Sequence, residues 1–185
     1  MSELRTNRIV PLGGLPSGSS GGITQIKNTT KTDPWVHPGT YINYEQVTGL
    51  NVSITPTSTD NKILVTASVN FATSYWQGYG ALYKKIASGT YSIVDGAVGG
   101  ANSSAPRYSF TGLQYEGAVQ ARNQYHGTLT YLDSPNTTSE VTYSIALRGY
   151  SNSYAVYCNR NPDDRTSNDY HGRGASFITV MEVSG

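Results

Sequence analysis

A chain of 185 residues with a formal net charge of +1 has room for one ordinary domain and a tail. It lacks the basic excess that drives sequence-independent binding to nucleic acid or attachment to an anionic membrane surface. Charged residues make up 14% of it, against about 25% in typical domains, while glycine (20) and tyrosine (15) are abundant.

The chain opens with MSELRTNRIVPLGGLPSGSSGG. An export signal places an apolar run of about 7–15 residues behind a basic start. Here the only apolar pair, Ile9–Val10, is stopped by Pro11, so neither an export tag nor a membrane span is expected. The stretch GGLPSGSSGG has the composition of a flexible coil. Residues 1–22 therefore read as an anchor and linker, and residues 23–185 as a domain. Within the head, Leu4, Arg5, Asn7, Arg8 and Ile9 are the candidate anchor residues, able to form a short strand or an extended segment docked on a partner.

Beyond the head, apolar residues alternate with polar ones. In LNVSITP, Leu50, Val52 and Ile54 share a face; in KILVTASVNF, Ile63, Val65, Ala67, Val69 and Phe71 do. The intervening TSTDN predicts a hairpin between them. A second hairpin is expected in GALYKKIASGTYSIVDG, with Ser88–Gly89 at its tip. A third is expected in HGTLTYLDSPNTTSEVTYSIALRGY, turning at Pro135 and Asn136. The last run, ASFITVMEVSG, is apolar on both faces: Phe177 and Met181 on one, Ile178 and Val180 on the other. Such a strand is central in a sheet or covered by another subunit. About eight to ten strands with regular turns predict an all-β fold, an antiparallel β-sandwich or jelly roll with an extended N-terminal segment. The segments 95–109 and 159–174 are longer than ordinary hairpin loops.

Catalytic chemistry has little footing. No nucleophile elbow, H-E-x-x-H or P-loop motif occurs, and His37, His126 and His171 fall in separate segments, as surface or turn residues do. A glycosidase needs two carboxylates across a groove, and Asp95, Glu116, Asp133 and Asp163 sit without a supporting motif. Cys158 is the single cysteine. It has no disulfide partner and no zinc-type neighbours, so a free thiol packed on a strand and folding in a reducing cytoplasm are expected. The loop NPDDRTSND holds Asp163, Asp164, Asn168 and Asp169, oxygen ligands of the kind calcium takes. With no regular calcium-loop pattern and Arg165 in its midst, an internal Asp–Arg pair is the better reading. No cofactor or metal is expected. Recognition has more support. Tyr75, Trp76 and Tyr79 crowd one turn, Tyr150, Tyr154 and Tyr157 cluster further on, and Tyr170 follows the acidic loop. Rings beside amides and carboxylates suit the binding of sugars or protein surfaces. The binding candidates are Tyr75, Trp76, Tyr79, Asp163, Asp164, Asn168, Asp169 and Tyr170.

The order of several segments carries a resemblance. A start of the form SELRTNRI, a Pro/Gly-rich break, GGITQIK, LNVSITPTSTDNKILVTASV, TYLDSPNTTSEVTYSIALR and a closing ASFITVMEVSG together resemble short phage structural proteins of the tail-fibre or receptor-binding type, found in phages of marine and cyanobacterial hosts. The likeness covers about two-thirds of the chain and leaves out residues 72–124 and 159–174. It implies a jelly-roll-like domain, often homotrimeric, made in the host cytoplasm and built into a virion. On that reading the N-terminal segment joins other virion proteins, and distal loops touch a host-surface glycan or protein. A capsid decoration or adaptor protein without host binding is the alternative.

Overall fold

The computed structural model describes residues 22–74, 76–113, 124–164 and 172–185. Two antiparallel sheets face each other, as the alternating strands require. The first contains β1 (Ile23–Lys31), β11 (Ser176–Val183), β4 (Lys62–Thr73) and β8 (Tyr125–Asp133) side by side. Short strands β10 (Val156–Cys158) and β2 (Trp35–Val36) extend it at one end. The second contains β3 (Glu45–Ile54), β9 (Val141–Gly149) and β5 (Gln77–Ile86). Its edge beyond β5 is shared by β7 (Phe110–Leu113) and β6 (Ser92–Ile93).

Setting aside the two-residue strands and β10, eight strands carry the architecture. The first sheet orders them first, eighth, third, sixth; the second orders them second, seventh, fourth, fifth. First pairs with eighth, third with sixth, second with seventh and fourth with fifth. This is one long ribbon of nested pairs rolled into two layers, the jelly roll.

The roll explains which hairpins form. Between β3 and β4 the chain crosses from one sheet to the other, so LNVSITP and KILVTASVNF do not pair; their partners are β9 and β8. The turn at Pro135 and Asn136 is likewise a crossing, from β8 in the first sheet to β9 in the second. Of the three expected hairpins only that around Ser88–Gly89 forms, with Tyr83 opposite Ile93 and Lys84 opposite Ser92. A polar turn between alternating runs marks a reversal, and a reversal closes equally well onto the facing sheet.

Alternation sets the core. Leu50, Val52, Ile54, Ile63, Val65, Val69, Phe71, Val141, Tyr143, Ile145 and Leu147 all point between the sheets and are buried. Phe110 wedges between two glycines: a Cβ at Gly80 or at Gly127 would lie 2.0 or 2.1 Å from its ring. That ring also meets Phe71 at 5.5 Å between centroids. Cys158 is the free thiol packed on a strand that the sequence predicts, buried on β10, and burial pushes it up to about 11, as for an unreactive structural cysteine.

Two polar clusters stitch the layers. Asp133, at the end of β8, accepts both Lys84 Nζ (2.6 and 2.9 Å) and Tyr143 Oη (2.7 Å) from the opposite sheet. Glu182 on β11, fully buried, accepts the Thr57 amide at 2.6 Å, the Thr57 hydroxyl at 2.9 Å and Asn61 Nδ2 at 2.7 Å on one oxygen. Gln25 Nε2 donates to the other. This carboxylate thereby ties the 55–61 connection and β1 to the closing strand.

The closing strand is central, between β1 and β4, and Ile178 and Val180 are buried. None of the described residues covers its other face: Phe177 stays 43% exposed and Met181 half-buried.

The roll also has two distinct ends. The Gly22 carbonyl accepts the Ser184 amide at 3.0 Å beside the 55–61 connection, so the chain enters the first sheet at that end. Ser74, Trp76, the start of β5 and the end of β9 lie at the other.

Candidate functional site

At the end remote from Gly22, the outer face of the second sheet carries a shelf of aromatic rings. Leu82 points inward from β5, so Gln77, Tyr79 and Tyr83 point outward. On β9, Leu147 points inward and Arg148 outward, directly opposite Tyr79. The Arg148 guanidinium lies 5.7 Å from the ring centroids of both Tyr79 and Tyr44, within cation–π range. Tyr44 in turn meets Tyr83 at 5.7 Å and donates its hydroxyl to the Arg107 carbonyl at 2.6 Å. Tyr108 covers Tyr79 with 5.1 Å between centroids. Burial raises the hydroxyl pKa of Tyr44, Tyr79 and Tyr83, against the opposing charge of Arg148. The shelf therefore presents neutral phenols around one fixed cation.

The rim is exposed. Trp76 (41% exposed) and Tyr150 (55%) stand at 6.1 Å between centroids, their planes inclined by 32°. Trp76 holds a positive φ of 56°, an uncommon conformation for a large side chain, and Thr73 Oγ1 donates to its carbonyl at 2.9 Å. The Tyr150 amide donates to the Gln77 carbonyl at 2.9 Å, so the turn between the sheets and the end of β9 are tied together beneath the two rings. Next to the shelf, the Gly149 amide donates to the Tyr41 carbonyl at 2.6 Å. The loop holding Tyr41 borders a shallow cavity of about 220 Å³ lined by His37, Pro38, Gly39, Thr40, Asn43 and Glu45. His37 is buried there, its Nδ1 accepting the Gly39 amide and its Nε2 donating to the Asn43 carbonyl at 3.0 Å.

Not every candidate from the sequence belongs to this surface. Trp76 does. Tyr79 is 6% exposed, so it supports the shelf from below, its hydroxyl donating to Gln77 Oε1 at 2.7 Å. Asp164 ion-pairs with Arg160 (3.2 Å) and Arg173 (3.0 Å). These partners flank the acidic stretch, whereas Arg165, the arginine inside it on which the expected internal pair rests, lies outside the described residues. Asp163 is partly buried nearby and has an interaction of its own. Tyr75, Asn168, Asp169 and Tyr170 lie outside the described residues, as do the anchor candidates Leu4, Arg5, Asn7, Arg8 and Ile9. Of the carboxylates weighed for sugar hydrolysis, Asp95 is paired with Arg107 at 2.7 Å and Asp133 is engaged by Lys84 and Tyr143; Glu116 lies outside the described residues. Among the described residues no three His, Cys, Asp or Glu side chains gather as a metal site would need.

Tyr44, Tyr83, Tyr108 and Arg148 were not singled out by the sequence. The spacing Tyr79-x-x-x-Tyr83 places two rings on one strand face. The partners come from β9 and from the segments before β3 and β7, and only the strand register brings them there.

No family model matches this sequence, and no curated protein matches it. Among solved structures, a chain in the structure of infectious bursal disease virus, Gx strain, is similar with a TM-score of 0.36 and 11% identity. The alignment covers 98% of this chain and 45% of that one, so this chain spans less than half the length of its viral counterpart.

Proposed function

We propose that this chain is a virion structural module: residues 1–10 attach it to the particle, and the aromatic shelf at the opposite end of the roll binds a host-surface glycan. The observation that carries the reading is the placement of Trp76 and Tyr150, two exposed, inclined rings fixed by backbone hydrogen bonds at the end away from where the chain enters. Rings of this kind stack on the C–H faces of pyranoses, while neighbouring amides such as Gln77 and the exposed Asn152 supply directional bonds. Uncharged phenols and a single held guanidinium favour a neutral or weakly acidic sugar over a highly sulfated one. The resemblance of several segments, in their order, to phage tail-fibre proteins is the ground for the virion setting.

The test is a glycan array probed with the purified full-length chain and with Trp76→Ala/Tyr150→Ala. Saturable binding to a restricted set of glycans is expected, weakened about tenfold or more in the double variant, the loss expected for two stacking contacts of ~0.5–1.5 kcal/mol each. Binding that survives the double substitution would place the recognition elsewhere. Binding to none of the glycans would favour the decoration role.

A further inference from the structure

The first sheet has an outer face that no part of the described chain covers. At one level across its four long strands stand Ile26, Met181, Leu64 and Leu132, in direct register from β1 through β11 and β4 to β8. Ile26 is 56% and Leu132 46% exposed. The next outward level carries Asn28 and a row of hydroxyls, Thr179, Thr66 and Thr130, and the level beyond it carries exposed Phe177 between Thr30 and Ser68. No charged side chain stands in these three levels; Lys62 and His126 mark the margins.

We infer that this face is an interface with a second copy of the same chain, packed face to face about a two-fold axis. Three features select that occupant. First, a face without charge meets its own copy without like-charge repulsion, and its threonines both donate and accept. Second, its size fits. With strands about 4.8 Å apart and about 3.3 Å of rise per residue, four strands by seven residues cover about 20 by 25 Å. With side-chain relief that is the order of the ~800 Å² per partner of a standard interface. Third, a two-fold interface needs one self-complementary patch, whereas a ring of three needs two different patches on each copy. Among the described residues outside this sheet, the exposed large apolar side chains are those of the shelf, Ile42 on the loop bordering it, and Ile86. A pair is therefore favoured over the three-fold assembly that the phage resemblance implies. Facing sheets would bring Leu64, Met181, Ile26 and Leu132 of both copies together and leave both shelves open. The inference is independent of the glycan reading.

Light scattering on the eluting full-length chain, from about 5 to 100 µM, measures the state. Two chain masses are expected. Leu132→Arg, and separately Ile26→Arg on the edge strand, should each give one chain mass with an unchanged circular-dichroism spectrum, because both side chains already meet solvent. Ile42→Arg should stay a pair. One chain mass for the unaltered protein, three chain masses, or a pair that withstands both arginines would each overturn the inference. So would dissociation on removal of residues 1–21 together with resistance to Leu132→Arg, which would assign the contact to the head.

Discussion

Glu182 shows how one buried charge sets the chemistry of the closing strand. Burial opposes its ionisation. Hydrogen bonds from Asn61, Gln25 and Thr57 outweigh that cost and hold the carboxyl at about 2, below its ordinary 4.5. A carboxyl lowered on folding stabilises the native state above its unfolded value and loses that contribution as pH falls through the folded one. Stability should therefore decline between about pH 4.5 and 2. Glu182→Gln should lower stability at pH 7 by about 2 kcal/mol, the scale of hydrogen bonds to a charged acceptor. Melting curves of both proteins should converge as the pH approaches 2; parallel curves would show that Glu182 does not carry the effect. Nothing in the sequence marks this residue: its apolar neighbours place it on a core-facing position, and its donors come from two separate segments, β1 and the 55–61 connection. Cys158, by contrast, was legible: a lone cysteine among apolar strand residues packs as a small hydrophobe.

At the level of elements, the strands were readable and their partners were not. Period-two alternation located β3, β4, β9 and β11 and assigned the inward faces of β3 and β4 residue by residue, because burial of one face is a local property; on β11, apolar on both sides, it left the inward face open. Pairing is a property of the whole roll. The turns at 55–61 and 134–140 have hairpin composition, yet both cross between layers, and the layers are held there by Lys84, Asp133 and Tyr143. This tie is testable. Asp133→Asn leaves a half-buried ammonium without its counter-charge and should cost about 2–3 kcal/mol, less than the ~3–5 kcal/mol of a fully buried pair because Lys84 retains some solvent contact. Lys84→Met/Asp133→Leu should cost less than the two single changes summed. Additive losses in chemical denaturation would show that the residues do not act as a unit. The candidate site divides in the same way. Trp76 was found from a crowded turn, whereas Arg148, Tyr44 and Tyr108 enter through register alone.

For the molecule as a whole, the roll separates two surfaces and two ends. The uncovered face of the first sheet suits a second copy. The outer face of the second sheet is filled by its own tyrosines around Arg148, and leaves Trp76 and Tyr150 open at the end remote from Gly22. Under the proposed function, a particle would hold one end while the other meets a host. The most direct check uses Trp76 as its own reporter. The chain has two tryptophans, and Trp35→Phe leaves Trp76 as the sole one, so its emission can be followed while an array-selected oligosaccharide is added. The account predicts a saturable change in Trp76 emission whose midpoint matches the binding constant and which is weakened by Tyr150→Ala. Binding measured by calorimetry with no change at Trp76 would contradict it.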